Sequence, residues 1–189
     1  MVVRSIFEED HSNLKIQQIN NRADIETACA LLKRDSIHGK FNADISIEKS
    51  YININGNKIY YSQIDKLEEI NWKDNDVDFV LECTGKFNSK EKLIPHLSNG
   101  AKKVIVSAPC KNADKTIVFG VNEKELKKED KIISAASCTT NCLAPVAHVL
   151  NENFEIEKGF MTTIHSFTTD QRILDNSCLL YTSPSPRDM

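Results

Sequence analysis

Residues 77–109, VDFVLECTGKFNSKEKLIPHLSNGAKKVIVSAP, carry the pattern of a strand, a helix and a second strand. The first apolar run ends in Gly85, and a helix is predicted from about Ser89 to Leu97. The second run, at 102–109, contains a continuous apolar stretch, which is typical of a parallel strand buried on both faces. This strand–helix–strand unit predicts an α/β fold.

The segments around this unit repeat the alternation of strand and helix. Residues 14–21 predict a strand, and residues 23–35 predict an amphipathic helix with acidic side chains in its first turn. Further along the chain, residues 117–122 and 131–137 predict two short strands, with a charged helix at 123–130 between them. Alternation of this kind favours a parallel, doubly wound sheet.

Two further patterns lie in the first third of the chain. Residues 1–10 have apolar positions at helical spacing but no capping residue before them, which predicts a helix whose start is absent. Residues 46–63 alternate apolar and polar side chains on both sides of Asn55-Gly56-Asn57-Lys58, a strong hairpin signal. We expect a small antiparallel insert there.

The pattern changes after residue 137. A long helix is predicted to begin at Cys138, and residues 156–168 predict a long strand with alternating faces. The last segment, CLLYTSPSPRDM, has two prolines and no periodicity, so it is predicted to be disordered or foreign to the fold. We therefore expect a first domain at 1–137, the start of a second domain at 138–177, and an unrelated tail at 178–189.

Composition excludes several classes of function. The 189-residue chain has 40% hydrophobic and 27% charged residues, which is ordinary for a globular protein. A formal net charge of -3 provides no basic field for a nucleic-acid backbone, so no nucleic-acid partner is expected. No stretch approaches the ~20 apolar residues that span a bilayer, so we expect a cytoplasmic protein without a membrane partner. The six cysteines are scattered without a CxxC pair, which predicts reduced thiols and no metal site.

Cys138 is the residue with the clearest chemical role. It follows an apolar strand and opens a helix, so its sulfur is predicted to lie in the field of the first helical N–H groups. That field is worth ~0.3–1 kcal/mol, up to ~2 kcal/mol when partly buried, whereas one pKa unit needs ~1.4 kcal/mol. The helix alone therefore does not produce a thiolate at neutral pH. His165, on the following predicted strand, is the candidate for a thiolate–imidazolium pair.

Hydroxyl side chains near these two residues support a catalytic interpretation. Ser137 and Thr139 flank the cysteine and Thr168 follows the histidine, a grouping suited to phosphate or another oxyanion. The structural alternative is that Cys138 is a small buried side chain and His165 a hydrogen-bonded core histidine. The combination of thiol, imidazole and hydroxyls favours catalysis.

Four segments carry a specific combination of motifs. They are ADIETACALLKRDSIHGKF (23–41), LECTGKF (81–87), KKVIVSAP (102–109) and SAASCTTNCLAPVAHVLNENFEIEKGFMTTIHSFTTDQRILDNS (134–177). In this order they resemble the glyceraldehyde-3-phosphate dehydrogenase family, to which SCTTNC with a downstream MTTIH is highly specific. The resemblance implies an incomplete Rossmann-type parallel sheet in an NAD-binding domain, followed by the beginning of an α+β catalytic domain with an antiparallel sheet.

The resemblance also implies an oxidoreductase of glycolysis. Cys138 would add to the aldehyde of glyceraldehyde 3-phosphate, His165 would act as base while a hydride passes to NAD, and inorganic phosphate would release 1,3-bisphosphoglycerate from the thioester. The family relationship further implies a homotetramer. It assigns the other site residues as follows: Ser137, Thr139 and Thr168 to phosphate binding, and Asn21, Thr84, Gly85 and Ser107 to NAD binding.

Three features depart from the family pattern. The sequence has no glycine-rich turn and begins within what resembles the first helix, so we expect the first strand and its pyrophosphate-binding loop to be missing. Asn21-Arg22 stands where the family has an acid for the adenosine ribose; we favour NAD, and NADP stays open. The resemblance ends near Ser177, before the family's phosphate-binding arginine. We therefore expect little or no activity from the 189-residue chain itself.

Two other interpretations stay open at this stage. Erythrose-4-phosphate dehydrogenase resembles the chain around Cys138 but hydrolyses its thioester, although HSFTTDQRILD fits the glycolytic enzyme better. A non-catalytic binding or scaffold protein would keep the fold and lose the chemistry. The intact Cys138 and His165 argue against that interpretation, and the missing glycine loop argues for it.

Overall fold

The computed structural model describes residues 1–9 and 13–166, so the predictions for Thr168 and for the tail at 178–189 lie outside the described residues. The chain divides into two compact units. Among the described residues, unit 1 contains those of Met1–Glu69 together with His165 and Ser166, and unit 2 contains Ile70–Ile164.

Unit 1 is built from short helices and a mixed sheet. Its strands follow the order β1-β6-β5-β4, in which β1 and β6 run parallel and the other pairs antiparallel. Its elements are α1 (Val2–Glu8), β1 (Gln18–Asn20), α2 (Ile25–Lys33), β2 (Arg34–Asp35), β3 (Gly39–Lys40), β4 (Ile45–Glu48), β5 (Tyr51–Ile54), β6 (Asn57–Ser62) and a 3₁₀ turn (Leu67–Glu69). The predicted helices and the predicted antiparallel insert of this region are confirmed.

The hairpin forms where the Asn-Gly signal predicted it. Asn55 and Gly56 both have left-handed backbone angles, with φ of 49° and 83°, as a two-residue type I′ turn requires. The strands that it joins supply Ile52, Ile54 and Ile59, all fully buried against α2 and Phe41. Burial of each isoleucine contributes roughly 1.5–3 kcal/mol, so this insert holds the core of unit 1.

Unit 2 contains a parallel sheet with the order β7-β8-β10-β9. Its core includes Val80, Leu93, Val104 and Ile132. Its elements are a 3₁₀ turn (Lys73–Asn75), β7 (Phe79–Glu82), α3 (Lys90–Ser98), β8 (Lys103–Val106), β9 (Lys115–Thr116), a 3₁₀ turn (Glu123–Glu125), β10 (Ile132–Ser134) and α4 (Cys138–Phe154). The predicted βαβ unit at 77–109 is therefore β7, α3 and β8.

The α/β class is confirmed, and each unit contains parallel strands. In unit 1, β1 and β6 form a parallel pair, and in unit 2, β7, β8, β10 and β9 are all parallel. Parallel strands that alternate with helices are typical of a doubly wound dinucleotide-binding fold. The absence of the family's first strand stays a prediction.

Two predictions for residues 117–130 are wrong. The strand predicted at 117–122 is a turn, because Gly120 has a φ of 81° and Asn122 bonds both Val118 N (2.8 Å) and the Thr116 carbonyl (3.0 Å). The helix predicted at 123–130 is limited to the 3₁₀ turn at Glu123–Glu125. Carbonyls after this turn bond to a side chain from another strand and not to N–H groups of a helix. Lys103 Nζ donates to the carbonyls of Lys128 (3.0 Å) and Asp130 (2.6 Å).

The strand predicted at 156–168 is also wrong over its described part. Residues 156–166 contain neither helix nor strand. Apolar side chains recur along this segment, but no described strand pairs with it, and Phe160 and Ile164 are fully exposed. An alternating pattern produces a strand only where a partner supplies the backbone hydrogen bonds and an apolar face.

Candidate active site

Cys138 is the first residue of α4, the longest helix described. The helix begins there because the Ser137 hydroxyl accepts a hydrogen bond from the Thr140 N–H at 3.0 Å, which makes Ser137 the N-cap. The Cys138 side chain is exposed at the positive end of the helix dipole. The predicted place of the thiol at a helix N-terminus is therefore what the structure shows.

The turn between β10 and α4 is held by two polar residues that the sequence interpretation did not include. The buried Ser134 hydroxyl donates to the Ala108 carbonyl (2.8 Å) and accepts from Ala136 N (3.1 Å). Asn141 Nδ2 donates to the carbonyls of Ala135 (2.7 Å) and Ser137 (2.9 Å). These bonds hold Ala136 in a left-handed conformation with a φ of 61°, which is unfavourable for alanine by itself.

Most of the predicted site residues lie at one edge of the unit 2 sheet. Parallel pairing places Glu82 beside Val106 and Val106 beside Ser134, so the carboxyl ends of the three strands are adjacent. The residues that follow these ends are Thr84, Gly85, Ser107, Ser137, Cys138 and Thr139. Open parallel sheets bind ligands at this edge.

The Thr84–Gly85 turn has its own hydrogen bonds. Thr84 N donates to Glu82 Oε1 at 2.7 Å, and the Thr84 hydroxyl accepts from Lys86 N at 3.2 Å. Gly85 has a φ of 72°, and a Cβ there would meet no atom within 4 Å. Glycine is therefore needed for the backbone conformation, and the space beside it is open.

Asn21 lies in unit 1, directly after β1. Its side-chain oxygen accepts from Arg22 N at 2.7 Å, and Arg22 forms an exposed ion pair with Asp65. The next helix, α2, begins where the Asp24 carboxylate accepts from Thr27 N, and this bond lowers the pKa of Asp24. A role of Asn21 in binding the cofactor stays a prediction.

His165 is exposed and lies outside any helix or strand. Its Nδ1 is 2.6 Å from the Ser166 carbonyl oxygen. Because a carbonyl only accepts, Nδ1 carries a hydrogen, and the basic nitrogen of the neutral ring is Nε2. Cys138 belongs to unit 2 and His165 to unit 1, so the thiolate–imidazolium pair stays a prediction.

Over residues 1–9 and 13–166, no group of three or more His, Cys, Asp or Glu side chains is placed to hold a metal ion. Within the same part of the chain, no helix has the length and apolar character needed to cross a membrane.

An exposed cysteine at a helix N-terminus, beside the carboxyl ends of parallel strands, is an arrangement compatible with nucleotide-dependent enzymes that use a covalent cysteine step. Comparison with known families gives the particular one. Residues 1–90 match the model "Glyceraldehyde 3-phosphate dehydrogenase, NAD binding domain", and residues 137–181 match the model of the C-terminal domain. The chain belongs to the glyceraldehyde-3-phosphate dehydrogenase family, as its motifs predicted.

Bacterial relatives agree with this result. Glyceraldehyde-3-phosphate dehydrogenase of Cereibacter sphaeroides is 47% identical over 174 residues, which are 92% of this chain and 52% of the relative. The enzyme of Clostridium acetobutylicum is 49% identical over 163 residues, 86% of this chain and 48% of the relative. The enzyme of Thermotoga maritima is 45% identical over 175 residues, which are 93% of this chain and 53% of the relative. The chain thus spans about half the length of the curated relatives it matches.

Proposed function

We propose that this chain carries the nucleophile and cofactor-binding residues of an enzyme that oxidises glyceraldehyde 3-phosphate with NAD and inorganic phosphate. The product is 1,3-bisphosphoglycerate. The observation that carries the proposal is the position of Cys138 at the start of α4, on the same sheet edge as Thr84, Gly85 and Ser107. Family membership supplies the substrate class.

The sheet edge fits a nicotinamide dinucleotide. The left-handed Gly85 leaves open space where a side chain would stand, so a ligand can approach the backbone of this turn. Thr84, Gly85 and Ser107 would hold the cofactor, with Asn21 at the adenosine ribose. NAD, when bound, supplies the acceptor for the hydride of the aldehyde carbon. The match to an NAD-binding model supports NAD over NADP.

The chain's own groups account for the covalent steps. The Cys138 thiolate forms a bond to the aldehyde carbon, and the carbonyl oxygen takes the displaced electron pair and a proton from the imidazolium of His165, which leaves that ring neutral. His165 Nε2 removes that proton when the carbon is oxidised to a thioester. A phosphate oxygen then attacks the thioester carbon, and the carbon–sulfur bond breaks to return the thiolate. Ser137, Thr139 and Thr168 would hold the phosphate groups through their hydroxyls.

Further proposals follow from membership of the family. We infer that the NAD-binding domain ends at residue 137 and that the catalytic domain begins at 138. The match of the C-terminal domain model, which starts at residue 137, supports this division. We also infer that the whole enzyme works in the cytoplasm as a homotetramer, with a sugar phosphate and inorganic phosphate as its small-molecule partners.

Alkylation by iodoacetamide near neutral pH tests the nucleophile. Cys142 is an internal control, because it is exposed on the same helix one turn later. We expect Cys138 to be modified several-fold faster, up to about thirtyfold, because only its sulfur lies at the helix N-terminus. Equal rates at the two cysteines, read by peptide mass spectrometry, would contradict the proposal.

A single-turnover experiment tests the reaction itself. The full chain is incubated with glyceraldehyde 3-phosphate and NAD without phosphate, and intact-protein mass spectrometry follows the acyl group on Cys138. We expect acylation only when both compounds are present, even where steady-state turnover is low. An unmodified Cys138 that still reacts rapidly with iodoacetamide would show that these 189 residues carry a reactive thiol without the dehydrogenase reaction, and the same result with the whole enzyme would reject the proposed function.

A further inference from the structure

Three buried side chains form a hydrogen-bonded chain beneath the Thr84–Gly85 turn. Trp72 Nε1 donates to His96 Nδ1 at 3.0 Å, and His96 Nε2 lies 3.3 Å from Glu82 Oε2. The other carboxylate oxygen, Glu82 Oε1, accepts from Thr84 N at 2.7 Å. Trp72, His96 and Glu82 are 6%, 2% and 5% exposed, so water does not compete for these bonds. We call these three residues the Trp72–His96–Glu82 relay.

The direction of each bond follows from the chemistry of the groups. The indole N–H of Trp72 can only donate, so His96 Nδ1 must present its lone pair. The hydrogen of the neutral ring is then on Nε2, which donates to Glu82. The contact between His96 and Glu82 is therefore a hydrogen bond from a neutral imidazole to a carboxylate, since a doubly protonated ring would have no acceptor for Trp72.

Glu82 is ionised despite its burial. Burial alone would raise the pKa of this carboxyl, but the hydrogen bonds from His96 and Thr84 outweigh it and hold the pKa below its ordinary value. The charge is thus stabilised from two sides, by the relay and by the turn. Loss of the His96 donor would leave the carboxylate short of a partner in a low-dielectric environment.

The position of Glu82 in the strand is unusual for an acid. In β7 the buried positions alternate, and Glu82 lies on the same buried face as Val80. An apolar side chain would satisfy packing there without the cost of a buried charge. Glu82 differs from such a residue in reaching the backbone of Thr84, the first residue of the turn at the ligand-binding edge of the sheet.

We propose that Trp72, His96 and Glu82 are positioning residues that hold the Thr84–Gly85 turn in the conformation that presents its backbone to the dinucleotide. Trp72 fixes the tautomer of His96, His96 orients Glu82, and Glu82 holds Thr84 N–H. The claim that the turn binds a dinucleotide rests on the proposed function. The claim that the relay holds the turn does not. The relay acts through the turn and touches no reacting atom.

Amide hydrogen exchange of the full chain, followed by NMR, tests this dependence. His96→Phe removes both ring nitrogens at similar volume, whereas His96→Gln keeps an N–H donor toward Glu82. We expect the amides of Thr84 and Lys86 to exchange at least about tenfold faster in His96→Phe and within about 1.5-fold of the wild type in His96→Gln. The amides of Val104 and Ile132, inside the sheet, should keep their rates in both variants. His38→Gln, at an exposed histidine of unit 1, is the matched control.

Two results would overturn the proposal. In the first, the Thr84 and Lys86 amides keep their wild-type rates in His96→Phe. In the second, all unit 2 amides accelerate equally, as a general packing role would predict. Should His96→Phe fail to fold, Trp72→Phe decides the question: freeing the tautomer of His96 should speed exchange at Thr84 by about threefold, and unchanged exchange there rejects the relay. Titration of the wild type with NAD is a separate arm, because amide shifts that do not respond to NAD would reject the proposed function and leave the relay intact.

Discussion

The two predicted reactive residues lie in regions of opposite character. At Cys138, the turn and the first residues of α4 are fixed by backbone N–H groups that donate to the Ser134 and Ser137 hydroxyls and by the Asn141 side chain, which donates to two carbonyls. Residues 155–166, which carry His165, contain neither helix nor strand. A helix N-terminus is completed by its own neighbours in sequence, whereas a strand needs backbone partners from elsewhere. Local interactions therefore position Cys138, the predicted nucleophile, whereas His165, the predicted base, lies in a segment without helix or strand.

The largest effect is expected from a substitution at the start of α4, which tests whether Cys138 is the nucleophile. Cys138→Ala removes the sulfur that forms the thioester, so we expect no acylated protein in the single-turnover experiment. Cys142→Ala, one helical turn away, should acylate as the wild type does. Mass spectrometry of the intact chain provides the measurement. Acylation that persists in Cys138→Ala would mean that another residue is the nucleophile, and the comparison between Cys138 and His165 would no longer concern the reactive residues.

Limited proteolysis tests whether residues 155–166 are less protected than the sheet of unit 2. Lys158 lies in the segment without regular structure, whereas Lys103 belongs to β8. Trypsin needs an extended, accessible backbone, so we expect cleavage after Lys158 at least about tenfold faster than after Lys103. Peptide mapping over time checks the order of cleavage, and Lys158→Gln is the control that removes the early cut. Equal rates at the two sites would show that residues 155–166 are as protected as the sheet.

Glu82→Gln tests how much the buried carboxylate that holds the Thr84 N–H stabilises this edge of the sheet. Loss of the buried charge should lower the free energy of unfolding by about 2 kcal/mol near neutral pH, because hydrogen bonds to a charged group are among the stronger ones. The folded-state pKa of Glu82 lies below its ordinary value of 4.5, so its contribution is present above that pH and is lost as the pH falls through the folded-state pKa.

Urea unfolding of both proteins across the acidic range measures this difference. The free energies of the wild type and Glu82→Gln should converge below the ordinary pKa of a glutamate. Lys58, in the exposed ion pair with Glu48, offers a contrasting substitution: Lys58→Gln should have little effect at any pH, since exposed pairs contribute little. A constant difference between wild type and Glu82→Gln at all pH values would mean that the carboxyl is not ionised in the fold.

The smallest effect concerns the cap of α4. Ser137→Ala removes the acceptor for Thr140 N and should lower the free energy of unfolding by about 1 kcal/mol. Ser166→Ala, the matched change in the segment without regular structure, should alter it by less than about 0.5 kcal/mol. Chemical denaturation of the two variants sharpens the comparison, and equal losses would indicate that the N-cap bond does not stabilise α4.

Local patterns predicted much of the fold for identifiable reasons. Asn55-Gly56 adopts left-handed angles at little cost, so the hairpin could be placed from two residues. The start of α4 was predicted at Cys138, where the helical pattern begins after an apolar run, and the βαβ unit was predicted from two apolar runs separated by a helix. The motif around Cys138 predicted the family, which the family models then confirmed. The family resemblance assigned Thr84, Gly85 and Ser107 to NAD binding, and the parallel pairing of β7, β8 and β10 places them at one sheet edge.

Other features depended on residues distant in the chain. Trp72 and Glu82 are 24 and 14 positions from His96, and no periodicity predicts that their polar atoms meet. The predicted strand at 117–122 became a turn through the side chain of Asn122. Capping, turn formation and apolar spacing act over a few residues, so the amino-acid sequence was enough to predict most helices and strands, the family and the position of Cys138 at the start of α4. The pairing of the buried polar groups followed from tertiary packing, because each group needs a partner whose position depends on the whole unit.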